Sequence, residues 1–228
     1  MNKHIFYPPV TVPFMIIFSI LLMLSLAFIF IDVIGVAFRK LGFSSKIIAL
    51  LLTASLIGSI VNIPIYKIRT ETPIINLEFA EFFGIRYPIP YIGKQISETV
   101  IALNVGGALI PVLISAYLII ADISILPNIV VATMITTIII HSIAKPIRGL
   151  GIATPALIPP ITAVFAAFIT GGGNPVVAYV SGTLGTLIGA DLLNINKISR
   201  LGAPIASIGG AGTFDGIFLT GIIATLLT

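Results

Sequence analysis

The chain has no cysteine and no tryptophan among its 228 residues, and only two histidines, His4 and His141. Without cysteine there is no disulfide and no thiolate chemistry, and the redox compartment leaves no mark. Two isolated histidines argue against a histidine-based metal site, and neither a metal nor a cofactor is expected. Without tryptophan, any belt at a membrane interface rests on tyrosine and phenylalanine. Charge is scarce as well: charged residues make up 9% of the chain and the net charge is +4, which gives no reason to expect a nucleic-acid partner.

What fills the chain is apolar. Hydrophobic residues account for 57% and the mean hydropathy is +1.18. A soluble core cannot absorb that much apolar surface, so the composition predicts an all-α polytopic protein of the cell membrane, with the bilayer as its partner. A span needs about 20 apolar residues. Seven stretches qualify, at roughly Val12–Phe38, Lys46–Tyr66, Ser97–Ala121, Leu126–Ala144, Thr154–Thr170, Pro175–Asn194 and Pro204–Leu227. The fifth is short and contains Pro-Ala-Leu-Ile-Pro-Pro, which predicts a broken or tilted helix. The N-terminal run carries one lysine and no small-residue cleavage site after it, so it reads as a retained helix rather than a signal peptide.

The basic residues orient the spans. Lys3, Lys67, Arg69, Arg86, Lys94, Lys145, Arg148, Lys197 and Arg200 fall on one side, against Arg39, Lys40 and Lys46 on the other. This asymmetry puts the N-terminus in the cytoplasm and the C-terminus outside. The sizeable extramembrane piece is Lys67–Ile96, where Ile75, Leu77 and Phe79 alternate with Asn76 and Glu78. A β-hairpin turning near Gly84 fits that alternation, with an interfacial amphipathic helix as the competing reading. Pro88 and Pro90 confine the second strand to an edge.

Two short echoes raise an internal repeat. The segment from Ser55, SLIGSIVNIPIYKI, resembles TLIGADLLNINKI from Thr186, and VGGALIP from Val105 resembles IGGAGTF from Ile208. The implied arrangement is three helices, a linker helix and three more, a pattern of transporters.

Chemistry concentrates between Gly185 and Gly216. Asp191 and Asp215 lie 24 positions apart in consecutive predicted spans, each flanked by glycine and alanine. A carboxylate at the centre of a span costs about 2.5–3.5 kcal/mol on insertion scales, so each acid is a functional candidate. Small flanking residues let helices approach closely, and two carboxylates brought together share a proton. Such a pair can activate a water and protonate a leaving group. The plain alternatives are that Asp191 caps its helix or pairs with Lys197, that Asp32 pairs with Arg39, and that His141 is interfacial. Pro155, Pro159 and Pro160 can simply break a helix, and Gly171–Pro175 can be a tight outer turn.

Here the sequence resembles the presenilin and signal-peptide-peptidase class of intramembrane aspartyl proteases. Asp191 and Asp215 match that class's two acids in order and direction. Gly212-Thr-Phe-Asp215 keeps the first glycine of the class's Gly-x-Gly-Asp motif, with Phe214 in place of the second. Ala190 stands where the class has tyrosine. Pro155-Ala156-Leu157 matches its Pro-Ala-Leu motif, placed before the aspartates instead of after them. The resemblance implies catalysis by Asp191 and Asp215, and substrate contacts from Pro155, Ala156, Leu157 and Gly212, on a transmembrane peptide. The full chain also resembles an uncharacterised family of prokaryotic polytopic membrane proteins. Two further functions fit the same residues: a secondary transporter or proton-coupled carrier using the acids as its coupling site, and a non-catalytic membrane scaffold. An oligomer is compatible with all three.

Overall fold

A computed structural model describes residues 11–82, 85–147, 151–198, 204–210 and 216–228. The first helix, α1 (Thr11–Lys40), is apolar on every side. Its residues from Val12 to Val33 are exposed, and it first packs at Ile34, Ala37 and Phe38. A helix without a polar face is what lipid, and not water, tolerates around it. Next comes α2 (Ser45–Gly58).

The chain then leaves helical geometry altogether. Strands β1 (Asn62–Phe82) and β2 (Ile85–Asn104) form one antiparallel ribbon, in register from Asn62 opposite Asn104 to Phe82 opposite Ile85. The register shifts once, between Pro64 and Tyr66. β-Branched and aromatic residues with period-two alternation favour this geometry over helix. After Asn104 a wide π-helical turn, Val105–Leu109, opens α3 (Ile110–Ala121).

The remaining helices form the bundle. They are α4 (Leu126–Ile143), entered through a 3₁₀ turn at Ile123–Ile125, then α5 (Ile158–Gly171) and α6 (Pro175–Thr186). The sixth runs on through a second π-helical turn, Leu187–Asp191, a 3₁₀ turn, Leu192–Asn194, and the short α7 (Ile195–Ile198). The last helix is α8 (Gly216–Leu227). Strands β3 (Lys145–Ile147) and β4 (Gly151–Ala153) pair antiparallel between α4 and α5. Strand β5 (Ile205–Ile208) joins β2 in parallel, Val100 opposite Ile205 through Leu103 opposite Ile208, giving a mixed sheet in the order β1-β2-β5.

At the centre lies α6, flanked by α4, α5 and α8. Small residues line the seams. Ala163, Ala166, Ala167 and Ala178 are fully buried, and a Cβ on Gly182 would sit 3.2 Å from both Ala163 and Thr220. Such seams let helices gain dispersion contact where lipid offers no hydrophobic drive between them. The turn of α1 at Phe38 docks onto this bundle with ring centroids 6.4 Å from both Tyr179 and Phe218.

These elements correct the all-α reading. Residues 62–66 of the second predicted span and 97–104 of the third are strand, and the seventh is divided between β5 and α8. A short run of buried, β-branched residues has the same hydropathy in strand and helix, so hydropathy alone could not separate them. By length and composition, three described helices can cross a membrane: Val12–Lys40, Ile123–Ile143 and Pro175–Lys197. The helices at Ser45–Gly58, Val105–Ala121, Ile158–Gly171 and Gly216–Leu227 have 10–17 residues each. At about 1.5 Å per residue they fall short of a hydrocarbon core about 30 Å thick. Among the described residues seven full spans are therefore not present, and the three-one-three helix arrangement goes with them. The first echo also lacks a shared conformation, because Asn62–Ile68 is strand whereas Ile195–Ile198 is helix. The segment Lys67–Ile96 is a hairpin, but its strands extend well beyond it on both sides. Its turn near Gly84 lies outside the described residues.

Candidate functional site

The site is built where helices stop. Asn174 begins α6 by accepting the Val176 N–H at 2.8 Å, with Pro175 in the first turn. From there the chain runs inward past Gly185 and Gly189. A Cβ at Gly189 would lie 2.7 Å from the Thr137 carbonyl, so α4 and α6 approach backbone to backbone there. Gly189 lies within the wide turn Leu187–Asp191, and such turns recur at functional sites because they free main-chain groups from the regular ladder.

Asp191 is half-buried at the end of that turn. Its Oδ2 accepts the N–H of Gly209 at 3.2 Å. Gly209 follows β5 directly and has φ of 82°, a left-handed conformation that suits glycine. A Cβ there would also sit 2.7 Å from the Ala108 nitrogen, so no side chain fits. Three residues after Asp191, the fully buried Asn194 donates from Nδ2 to the carbonyls of Gly189, at 3.0 Å, and Ala190, at 2.9 Å. These bonds satisfy acceptors that the helix end would otherwise leave bare. From α4, His141 brings Nδ1 to 3.3 Å from both Asn194 Nδ2 and the Gly189 oxygen.

A second polar cluster lies across β5. Asn104, also fully buried, accepts the Gly107 N–H at 2.7 Å and so caps the turn that opens α3. Its Nδ2 donates to Ser59 O, just past the end of α2, at 2.8 Å, and to Asn62 Oδ1 at 3.1 Å. Asn62 Oδ1 also accepts from Ser207 Oγ at 2.6 Å. Strand β5 therefore ties the two clusters together, Ser207 to one and Gly209 to the other. Beneath it sits an apolar plug of Ile101, Ala108, Leu187, Ile208 and Ile217.

Of the residues singled out in the sequence, Asp191 sits in this junction. Asp215 and Gly212 lie outside the described residues. The described chain on either side reaches the same place: Gly209 bonds Asp191, and Ile217 packs in the cluster that contains Leu187. Pro155, Ala156 and Leu157 are exposed in the segment ahead of α5. What reaches the site from there is β4, whose Ile152 packs against the clusters of Leu187 and of Ala190. Asp32 meets Arg39 at 3.5 Å on the exposed face of α1. Among the described residues no three acidic or histidine side chains gather as metal ligands. Asn104, Asn194 and Ser207 gave no signal in the sequence, since single polar residues in apolar runs carry no spacing to read; Gly209 stood out only as one of the small residues flanking Asp215.

Residues 56–227 match the family described as "Protein of unknown function (DUF1614)", and the chain belongs to that family. No curated protein and no solved structure matches it.

Proposed function

We propose that the chain is an intramembrane aspartyl protease in which Asp191 and Asp215 cut a transmembrane peptide. The observation that carries this reading is the bond from the Gly209 N–H to Asp191 Oδ2. It sets a carboxylate at the end of β5, the outermost strand of its sheet among the described residues. A transmembrane helix hides its peptide carbonyls in i→i−4 bonds, so cleavage requires an extended stretch, and an open strand edge can receive one. In this reading one ionised aspartate takes a proton from water as its oxygen attacks the carbonyl carbon. The other, protonated, donates to the carbonyl oxygen, and the C–N bond then breaks as the amine leaves with a proton. Pro155, Ala156, Leu157 and Gly212 are the proposed substrate contacts.

The test uses full-length protein in liposomes with an apolar 20–25-residue peptide, cleavage being followed by mass spectrometry. Asp191→Asn and Asp215→Asn should each lower the rate at least about a hundredfold, since Asn keeps the shape but cannot move the proton. Cleavage that survives both substitutions removes the reading.

A second reading, a proton-coupled carrier, is favoured by one specific observation. The end of α2, the start of α3 and the end of α6 are all tied to the strand β5 or its flank. Broken helices whose main-chain dipoles face one point are how carriers hold ions. In that case Asp191→Asn abolishes proton-driven flux and no peptide is ever cut.

A further inference from the structure

The hairpin β1–β2 is supported at its base alone. Among the described residues β5 pairs with Val100–Leu103, and the rungs from Arg69 outward, about 45 Å of ribbon at about 3.4 Å per residue, pair only with each other. Two strands by themselves are marginal in water. On one face of the outer half, Ile75, Leu77, Phe79 and Ile92 are 61–78% exposed.

The two edges of this ribbon differ. Val100 donates its N–H to Pro204 O, away from β1. By alternation, every second residue down β2, including Pro88, Pro90 and Ile92, also points its main-chain groups outward. Two of these are prolines, which have no N–H to give. The register sets Leu77 opposite Pro90 and Phe79 opposite Pro88, so Ile75, Leu77, Phe79 and Glu81 turn their N–H and C=O groups outward on the β1 edge. That edge keeps every donor over about 24 Å, whereas the β2 edge is blocked at the same level.

We propose that the β1 edge pairs with the same edge of a second copy of this chain, giving a four-stranded sheet in the order β2-β1-β1-β2. The segment is self-complementary about a two-fold axis at Leu77, the symmetry a homodimer uses. Antiparallel pairing there sets Leu77 on Leu77 and Ile75 on Phe79 of the second copy. On the other face Asn76 meets Glu78. About six main-chain bonds form. A one-residue slip of the axis to Glu78 would oppose two glutamates, so charge disfavours that register. Pairing also sets the two exposed apolar faces side by side.

The absence of cysteine makes the test direct. In full-length protein in liposomes, Leu77→Cys should give a disulfide-linked dimer under copper–phenanthroline. Ile92→Cys, which has two strands between it and its counterpart in the second copy, should not. Leu77→Pro removes only outward main-chain donors and leaves the hairpin pairing intact. It should halve the particle mass measured by light scattering in detergent, with the circular dichroism unchanged. A dimer that survives Leu77→Pro overturns the proposal, and so does cross-linking at position 92 in preference to 77. If Leu77→Cys fails to cross-link but is shielded from aqueous thiol reagents in liposomes, lipid covers the edge and the proposal also falls.

Discussion

The helix bundle and the hairpin both carry many large apolar side chains and are opposite in their physics. Within the bundle, α6 has two thirds of its most apolar window buried, 67%, and its neighbours reach it across alanines and glycines. Along the hairpin, residues of the same type stand open, Ile75 at 76% and Phe79 at 62%. The bundle spends apolar side chains on internal contact. The hairpin keeps its order through main-chain pairing and leaves its side chains outward. Apolar content therefore does not report burial in this chain. The secondary structure beneath it decides whether a neighbour exists to bury against.

The largest effect should come from the bundle. Phe38→Ala empties a fully buried site between Tyr179 and Phe218 and should cost about 3–5 kcal/mol, read as a lowered midpoint of denaturation in detergent. A loss under 1 kcal/mol would mean that α1 is not seated on the bundle. Next comes the hinge between the two regions. A Cβ at Gly106 would run into the Ser55 carbonyl and lie 2.5 Å from the Ser59 nitrogen, all of it backbone that cannot step aside. Gly106→Ala should cost about 1–3 kcal/mol and loosen the base of the hairpin, seen as faster amide exchange at Asn62 and Asn104. The smallest effect should be in the ribbon. Phe79→Ser, measured on dilute monomeric protein, should stay within about 0.5 kcal/mol of the parent. A large loss there would show that the hairpin folds back onto the bundle, and the contrast would vanish.

The legible parts of the fold were those with long, uniform signals. The predicted bounds of the first, fourth and sixth spans fall within a few residues of α1, α4 and the α6 segment, because each is a long, uniformly apolar run. The hairpin was legible where Ile75 to Phe79 alternates. Illegible were the places where a strand ends and a helix begins inside one apolar stretch, as at Asn104 and at Ile208. There the decision is tertiary: β5 exists because β2 offers it an edge. In the site, Asp191 stood out as a charge in an apolar run. Its partner Gly209 is 18 residues away, and a bond from a main-chain N–H leaves no trace in side-chain composition.

The end of α1 carries one more implication. Lys40 Nζ donates to the carbonyls of Thr225, at 3.4 Å, and Leu226, at 3.0 Å, 185 and 186 positions later, so the cation sits on the negative end of α8. Phe38 likewise waits for Phe218. During vectorial synthesis at about 5–20 residues per second, α1 emerges roughly 10–40 s before the surface it docks on. For that interval its exposed apolar sides from Val12 to Val33 suit a lipid surround. Residues of α8 latch the first helix, so a ribosome stalled before Gly216 should leave α1 inserted but without that latch.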